Sequence, residues 1–460
     1  MHVGEEIDRL LTSAIARHQA GQLAEAESLY AEVLRQDSRQ PDALNLMAVL
    51  AAQHGRTEQA LELIRAAIVE QPENHHFRFN HAHILELSGH PSAAAAYRES
   101  LTIDPYHVPA LINLGNLLLS SDRVGEAIDC FNRAISVDRT VAQAHEGLGV
   151  ALQRRRDAAG ALAAFERALM IDPTSLEATA NAGALLLELG RAAEAVPQLR
   201  RALAQAPDRS DLHVNLALAQ RAAEDLPGAI ETLRGVQAMD PGNPRPLAFL
   251  GPMLAEAGDA TAAAEILDYD RLLSRRRLSS VPGYAALQAF NAALAAMMAS
   301  HPGLTGAQQP MQSDALAGEA EGALQTLVGT VEAEVDAYFA ALDPKGAVSP
   351  LRPAARRLAL TGRISSGGQA EEPGFAAGGR LSGLYIVAAP TPGDEQATPA
   401  SVSFGPSPLR FPAADMPRRR LEAKPGDLLL FPAYFWTALQ PASGEAETLV
   451  IAFDVISEPQ

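Results

Sequence analysis

The sequence has 460 residues, 47% apolar and 20% charged, with a formal net charge of −18, which predicts two or three globular domains at ~100–200 residues each. Acids exceed bases in residues 1–280 (37 to 26) and in residues 281–460 (18 to 11), so the basic footprint of a nucleic-acid binder is absent. The single cysteine, Cys130, excludes an internal disulfide and a Cys-based zinc or iron–sulfur site. The opening Met1–Glu6 has neither a basic nor an apolar region, and no window approaches ~18 uncharged apolar residues. A cytoplasmic chain with no nucleic-acid or membrane partner is expected.

Residues 1–274 repeat. Asp37-Ser38, Gln71-Pro72, Asp104-Pro105, Asp138-Arg139, Asp172-Pro173, Ala206-Pro207 and Asp240-Pro241 each end an apolar helical run, and their second members are spaced 34, 33, 34, 34, 34 and 34 residues. With that second member as position 32 of a unit, position 8 is always small (Ala14, Ala48, Ala82, Gly115, Gly149, Gly183, Ala217, Gly251). Position 20 is always Ala, and position 24 is large, as in Tyr30, Tyr97, Phe131 and Phe165. Small residues let two antiparallel helices approach, the large residue fills the gap between units, and the proline stops the second helix.

This pattern resembles the tetratricopeptide repeat over about residues 7–274, with seven full units and an eighth that has Asp270 where Ala is expected at position 27. The resemblance implies an α-solenoid with a groove lined by the first helix of each unit. Position 6, which faces the groove in such repeats, is Asn80, Asn113, Asn181 and Asn215, interrupted by Gly147; Asn116 and His83 fall at position 9, and Asn45 at position 5. Asparagine both donates and accepts, so such a ladder suits an extended peptide backbone of any sequence. A similar asparagine ladder occurs in protein O-linked N-acetylglucosamine transferases. Asn80, His83, Asn113, Asn116, Asn181 and Asn215 are therefore the expected partner-binding residues, and a protein or extended peptide is the expected partner.

His75, His76, His81, His83 and His90 crowd one unit. With no Cys or carboxylate at ligand spacing, they read as solvated or packed imidazoles, a metal site being the alternative. Cys130, at position 23, reads as a buried structural thiol, and Arg154-Arg155-Arg156 as cations at a helix C-terminus.

After residue 274 the composition shifts. Residues 275–283, with Arg275-Arg276-Arg277 and Ser279 to Gly283, read as a linker with solvated arginines. Residues 284–460 then form a second domain. Helices are expected over Tyr284–Met298 and along the stripe Leu324, Leu327, Val328, Val331, Val335, Tyr338, Phe339 and Leu342. Short strands follow at Arg357–Ser365, Leu381–Ala388, Ala400–Phe404, Arg418–Glu422, Asp427–Phe431 and Thr448–Val455. Helices backing a sheet in an α+β domain are expected.

Three blocks here resemble putative 2-oxoglutarate/Fe(II) oxygenases found fused to tetratricopeptide repeats. They are Leu381-Ser382-Gly383-Leu384-Tyr385-Ile386-Val387, the run from Pro425-Gly426-Asp427 to Tyr434-Phe435-Trp436, and Val450-Ile451-Ala452-Phe453-Asp454. The resemblance implies a double-stranded β-helix, a cupin-like jelly roll. It also implies an iron held by an HxHP motif and a distal His, with an Arg for 2-oxoglutarate. Those places hold Gly374, Ala376 and Ala377, then Thr437, then Thr448. The last histidine of the chain is His301. Glu371, Glu372, Asp394 and Glu395 lack ligand spacing and read as loop acids, while Arg380, where the family often has Trp, reads as a rim residue. The chain thus reads as a peptide-binding adaptor carrying an inactive oxygenase-like domain, with no catalytic residue, no metal and no cofactor. The alternatives are an active oxygenase using Fe(II) and 2-oxoglutarate at an unorthodox site, or a small-molecule sensor using the remnant barrel pocket.

Overall fold

The computed structural model describes residues 2–300, 311–312, 322–342, 356–365, 373–376, 379–389, 398–405, 418–442 and 447–457. The chain forms two compact units, Met1–Ala206 and Pro207–Gln460. Among the described residues no helix is long and apolar enough to cross a membrane.

The first unit holds six antiparallel helix pairs: α1 (His2–Gln19) with α2 (Leu23–Gln36), α3 (Pro41–Gln53) with α4 (Thr57–Glu70), α5 (His75–Leu87) with α6 (Ala93–Ile103), α7 (Val108–Ser120) with α8 (Val124–Val137), α9 (Ala142–Arg154) with α10 (Ala158–Ile171), and α11 (Leu176–Glu188) with α12 (Ala192–Gln205). The second begins with α13 (Ser210–Ala222) and α14 (Leu226–Met239), then α15 (Leu247–Glu256) and the short α16 (Ala260–Ile266). The alanines at position 20 are buried in every unit, as close helix packing requires.

Position 15, between the paired helices, is left-handed in all eight units. It is Gly21, Gly55, Gly89, Gly190 and Gly258, but Asp122, Arg156 and Glu224 in the others, with φ from +56° to +81°. The following residue donates to the carbonyl five back in each case, as Arg56 does to Ala51 at 2.9 Å. This closes the first helix and satisfies its last carbonyls. Arg156 is thus a turn residue, and Arg154 donates to the Leu119 carbonyl of the preceding unit.

The eighth unit departs from the pattern because Asp268 caps a new one-turn helix, α17 (Tyr269–Leu272), by accepting from the Arg271 amide at 3.0 Å. The second helix of that unit therefore ends at Ile266.

Residues 275–283 differ from the expected linker. Ser274–Arg277 is strand β1, antiparallel to β7 (Asp427–Pro432), with Arg277 opposite Asp427. Arg275 Nη2 lies 2.5 Å and Arg277 Nε 2.9 Å from the Asp427 carboxylate, which is 1% exposed, and Arg276 pairs with Glu334. Alternation along an edge strand sends Arg275 and Arg277 to one side and Arg276 to the other. The arginine run is thus an ion-paired strand.

The remaining elements are β2 (Met311–Gln312), β3 (Arg356–Ser365), β4 (Leu381–Ala388), β5 (Ser401–Phe404), β6 (Arg419–Glu422), β8 (Thr437–Gln440) and β9 (Thr448–Ser457), with helices α18 (Leu287–Ser300) and α19 (Ala323–Ala341). Among the described residues all strand pairing is antiparallel. One sheet runs β1-β7-β4-β9-β3-β2 and the other β6-β5-β8. Side chains alternate across the larger sheet. Tyr385, Val387, Leu428 and Leu430 pack with Phe290, Leu294, Leu327 and Val331 of α18 and α19. Leu384, Ile386, Leu429 and Phe431 join Val402, Phe404 and Leu439 of the smaller sheet. The expected helices backing a sheet are thus present. Strands β1, β2 and β8 were not expected; β2 has two residues and β8 four, too short for a legible alternation.

Candidate functional site

Three places carry the chemistry: the Asn-bearing helices of the array, the cavity of the sheet region, and a histidine cluster at the edge of the first unit.

Asn80, Asn113, Asn181 and Asn215 are half-buried and Asn116 is exposed. Asn80 Nδ2 donates to Asn45 Oδ1 at 2.8 Å, so the residue one place early in the ladder joins its neighbour's rung. Asn113 Nδ2 donates to the Tyr97 hydroxyl at 3.1 Å, and that hydroxyl donates to the Glu86 carboxylate. His83 Nδ1 lies 3.4 Å from both Glu86 Oε2 and the Tyr97 hydroxyl. Burial and the Glu86 carboxylate push the Tyr97 phenol well above its ordinary pKa, so it stays protonated and donates. Tyr97 and Glu86 are thus part of this polar network, though neither sits at a groove position. The signal available in sequence was Tyr rather than Phe at position 24.

Gly147 breaks the ladder for a packing reason. The Phe131 ring of the preceding unit lies against Gly115 and Gly147, and a Cβ at Gly147 would overlap it. Gly147→Asn is therefore expected to overpack this site and cost about 1–3 kcal/mol, read as a lowered urea midpoint at unchanged slope. An unchanged midpoint would show that the ring has room to move.

In the sheet region, Gly374 and Thr437 form a backbone bridge, with N···O distances of 2.9 and 2.8 Å in the two directions. Both line a cavity of about 300 Å³ with Ala376, Thr361, Arg363, Ser382 and Asp454. Asp454 Oδ1 accepts from Ser382 Oγ at 2.5 Å. Burial raises the Asp454 pKa; the Ser382 hydrogen bond and the Arg363 charge oppose that shift. An Fe(II) centre of the oxygenase type needs two imidazoles and usually a carboxylate on one face. Among the described residues this cavity offers one carboxylate, already bonded and disfavoured in its ionised form, and no imidazole. Its residues do not fit that group.

Thr448 is buried at the start of β9, where its Oγ1 accepts from the Ala442 amide at 3.2 Å, and among the described residues Arg363 on β3 is the arginine that reaches the cavity. Arg380 lies elsewhere: its Nε donates to Ser457 Oγ at 3.2 Å and its Nη1 packs against Gly242. Glu371, Glu372, Ala377, Asp394 and Glu395 lie outside the described residues.

Tyr434, Phe435 and Trp436 are buried against the last helices of the array. Trp436 Nε1 donates to the Ala248 carbonyl at 2.9 Å, and the Tyr434 hydroxyl donates to the Ile266 carbonyl at 2.9 Å. From α19, the Tyr338 hydroxyl donates to Leu272 at 2.7 Å.

At the edge of the first unit, His75 and His76 open α5 and His107 precedes α7. Their ring centroids are 3.9 Å (His75–His76), 4.9 Å (His75–His107) and 5.5 Å (His76–His107) apart. Burial, then the neighbouring imidazoles, lower the pKa of His76 and His107. Only two of the five crowded histidines belong here. The third, His107, comes from the next unit, a contact that spacing within one unit does not reveal. Cys130 is buried in α8, and burial pushes its thiol up, so it is not an activated nucleophile.

Family models of the tetratricopeptide repeat match residues 17–78, 112–175 and 181–244. No curated protein matches the chain. Among solved structures, the chain is similar to the Pseudomonas aeruginosa protein PilF (20% identity, 44% of this chain and 92% of that one, TM-score 0.41). It is also similar to PilW, described as a type IV pilus biogenesis factor (19%, 43% and 92%, TM-score 0.40). A third is YrrB, described as a repeat protein with an unusual peptide-binding site (24%, 39% and 92%, TM-score 0.35).

Proposed function

We propose that this chain, a tetratricopeptide-repeat solenoid followed by an antiparallel sheet region, is a non-catalytic adaptor. In this reading the repeats of the first unit hold an extended segment of a protein partner along Asn80, His83, Asn113, Asn116 and Asn181, and Asn215 offers the equivalent contact in the second unit. The C-terminal region is a double-stranded β-helix that has lost an oxygenase metal centre.

One observation carries the loss. Gly374, Ala376 and Thr437, the places where the resembling oxygenases hold their histidines, line one cavity, and none has an imidazole or carboxylate. The strand order of two facing antiparallel sheets supports the β-helix. The Asn113–Tyr97–Glu86 chain supports the groove: it fixes the Asn113 amide by one donor and leaves its carbonyl oxygen and second hydrogen for a peptide. An active oxygenase would have only the strand arrangement in its favour.

The test has two arms. Chain prepared anaerobically and given Fe(II) and 2-oxoglutarate is expected to hold far less than one iron and, once O₂ is admitted, to release no succinate; near-stoichiometric iron with O₂-dependent turnover would sink the reading. Asn113→Ala with Asn181→Ala is expected to weaken a peptide selected from a display library about tenfold, at ~0.5–1.5 kcal/mol per lost hydrogen bond. Equal affinity would remove the ladder from the binding surface.

A further inference from the structure

We propose that His75, His76 and His107 bind one divalent transition-metal ion of the zinc type at the edge of the first unit. One ring nitrogen from each lies within 4.8 Å of the other two. Imidazoles at 2.0–2.1 Å from a tetrahedral zinc stand about 3.3 Å apart, so rotations of exposed or half-buried rings are enough to gather them.

Packing alone does not account for this cluster. His75 Nδ1 and His107 Nδ1 are buried and lack a hydrogen-bond partner, a state that folded proteins rarely leave uncompensated. Apolar side chains would pack the same space without that penalty. The Asp104 carboxylate stands 3.6 Å from His75 Nδ1, beyond hydrogen-bond length. It supplies the negative charge that offsets the positive ends of α5 and α7. Phe79, edge-on to His107 at 4.9 Å, holds that ring toward the cluster. Neutral imidazoles select Zn²⁺, Co²⁺, Ni²⁺ or Cu²⁺ over Mg²⁺ or Ca²⁺. Three such ligands with the fourth position open match the donor set of a zinc site. The inference is independent of the groove reading, because none of these residues is a ladder residue.

The test uses the full chain, stripped with chelator and titrated with Zn²⁺ against a chromophoric competitor, with Co²⁺ absorption as a second readout. Wild type is expected to take up one equivalent and to melt at higher temperature with Zn²⁺ than without. His76→Gln, a substitution at an exposed position, and His107→Asn, which keeps a residue suited to start α7, are expected to lose about tenfold or more in affinity and to lose the thermal shift. His213→Gln, on α13, is expected to bind as wild type does. No uptake by wild type, or equal affinity in wild type and His76→Gln, would overturn the proposal. His76→Gln decides the matter even if His107→Asn fails to fold.

Discussion

Trp436→Ala is expected to lower the unfolding free energy of the second unit by about 3–5 kcal/mol. Trp436 is 9% exposed, with ring centroids 4.6 Å from Phe375 and 5.8 Å from Phe249. Truncation would remove that packing and a buried hydrogen bond together. The bond has a specific origin in sequence. In α15 the Ala248 carbonyl should accept from the amide four residues on, but that residue is Pro252, which has no N–H. The Trp436 indole supplies the missing donor from outside the helix. Trp436→Phe therefore separates the two contributions: it keeps most of the ring volume and leaves the carbonyl unpaired, at about 1–3 kcal/mol. Urea unfolding followed by far-ultraviolet circular dichroism reads both variants. Because Trp436 is the only tryptophan, wild-type emission reports the same transition. A loss below about 1 kcal/mol in Trp436→Ala would mean that the sheet region and α15 are not one cooperative unit.

Arg275→Ala with Arg277→Ala comes second, at about 3 kcal/mol or more. Removing both partners leaves the Asp427 carboxylate, 1% exposed, with the Lys424 amide at 3.1 Å as its remaining partner among the described residues. An uncompensated buried charge costs about 3–5 kcal/mol, far more than an exposed ion pair. Asp427→Asn added to this background is expected to recover most of the loss, since it removes the charge and keeps an oxygen for the Lys424 amide. If the triple variant is no more stable than the double, the cost lies in β1 pairing and not in the charge.

Both predictions turn on residues whose roles were not legible in the sequence. The Arg275–Arg277 run looks solvated because a strand of four residues has no period to detect, and its partner lies 150 residues away. The Tyr434–Trp436 run was legible only as part of a block that resembles a known family, and not as the source of donors for α15 and α16. Those donors answer a deficit that is itself local: the carbonyl facing Pro252 and the last carbonyl of α16 lack internal partners. Sequence shows the deficit and cannot show what fills it.

The candidate sites divide in the same way. The asparagine positions followed from the repeat phase alone. Their hydrogen bonds to Asn45 and Tyr97, and the exclusion of an asparagine at Gly147 by Phe131, depend on neighbouring units. The replacements at Gly374, Ala376 and Thr437 were legible; that they meet at one cavity was not.

The sequence by itself determined what depends on local period. The 34-residue unit sets the helix pairs because small and large residues recur on one helical face, and short apolar runs bounded by Gly and Pro mark strands such as β4 and β7, which are buried on both faces. It also determined that no histidine of this sequence follows His301. Only the tertiary structure decided which distant groups meet: Asp427 with two arginines, Trp436 with a carbonyl orphaned by a proline, and His107 with His75 and His76. Each of these contacts satisfies a charge or a polar atom across a long chain separation. No periodicity encodes such a partner, because burial creates the need for it only once the chain has folded.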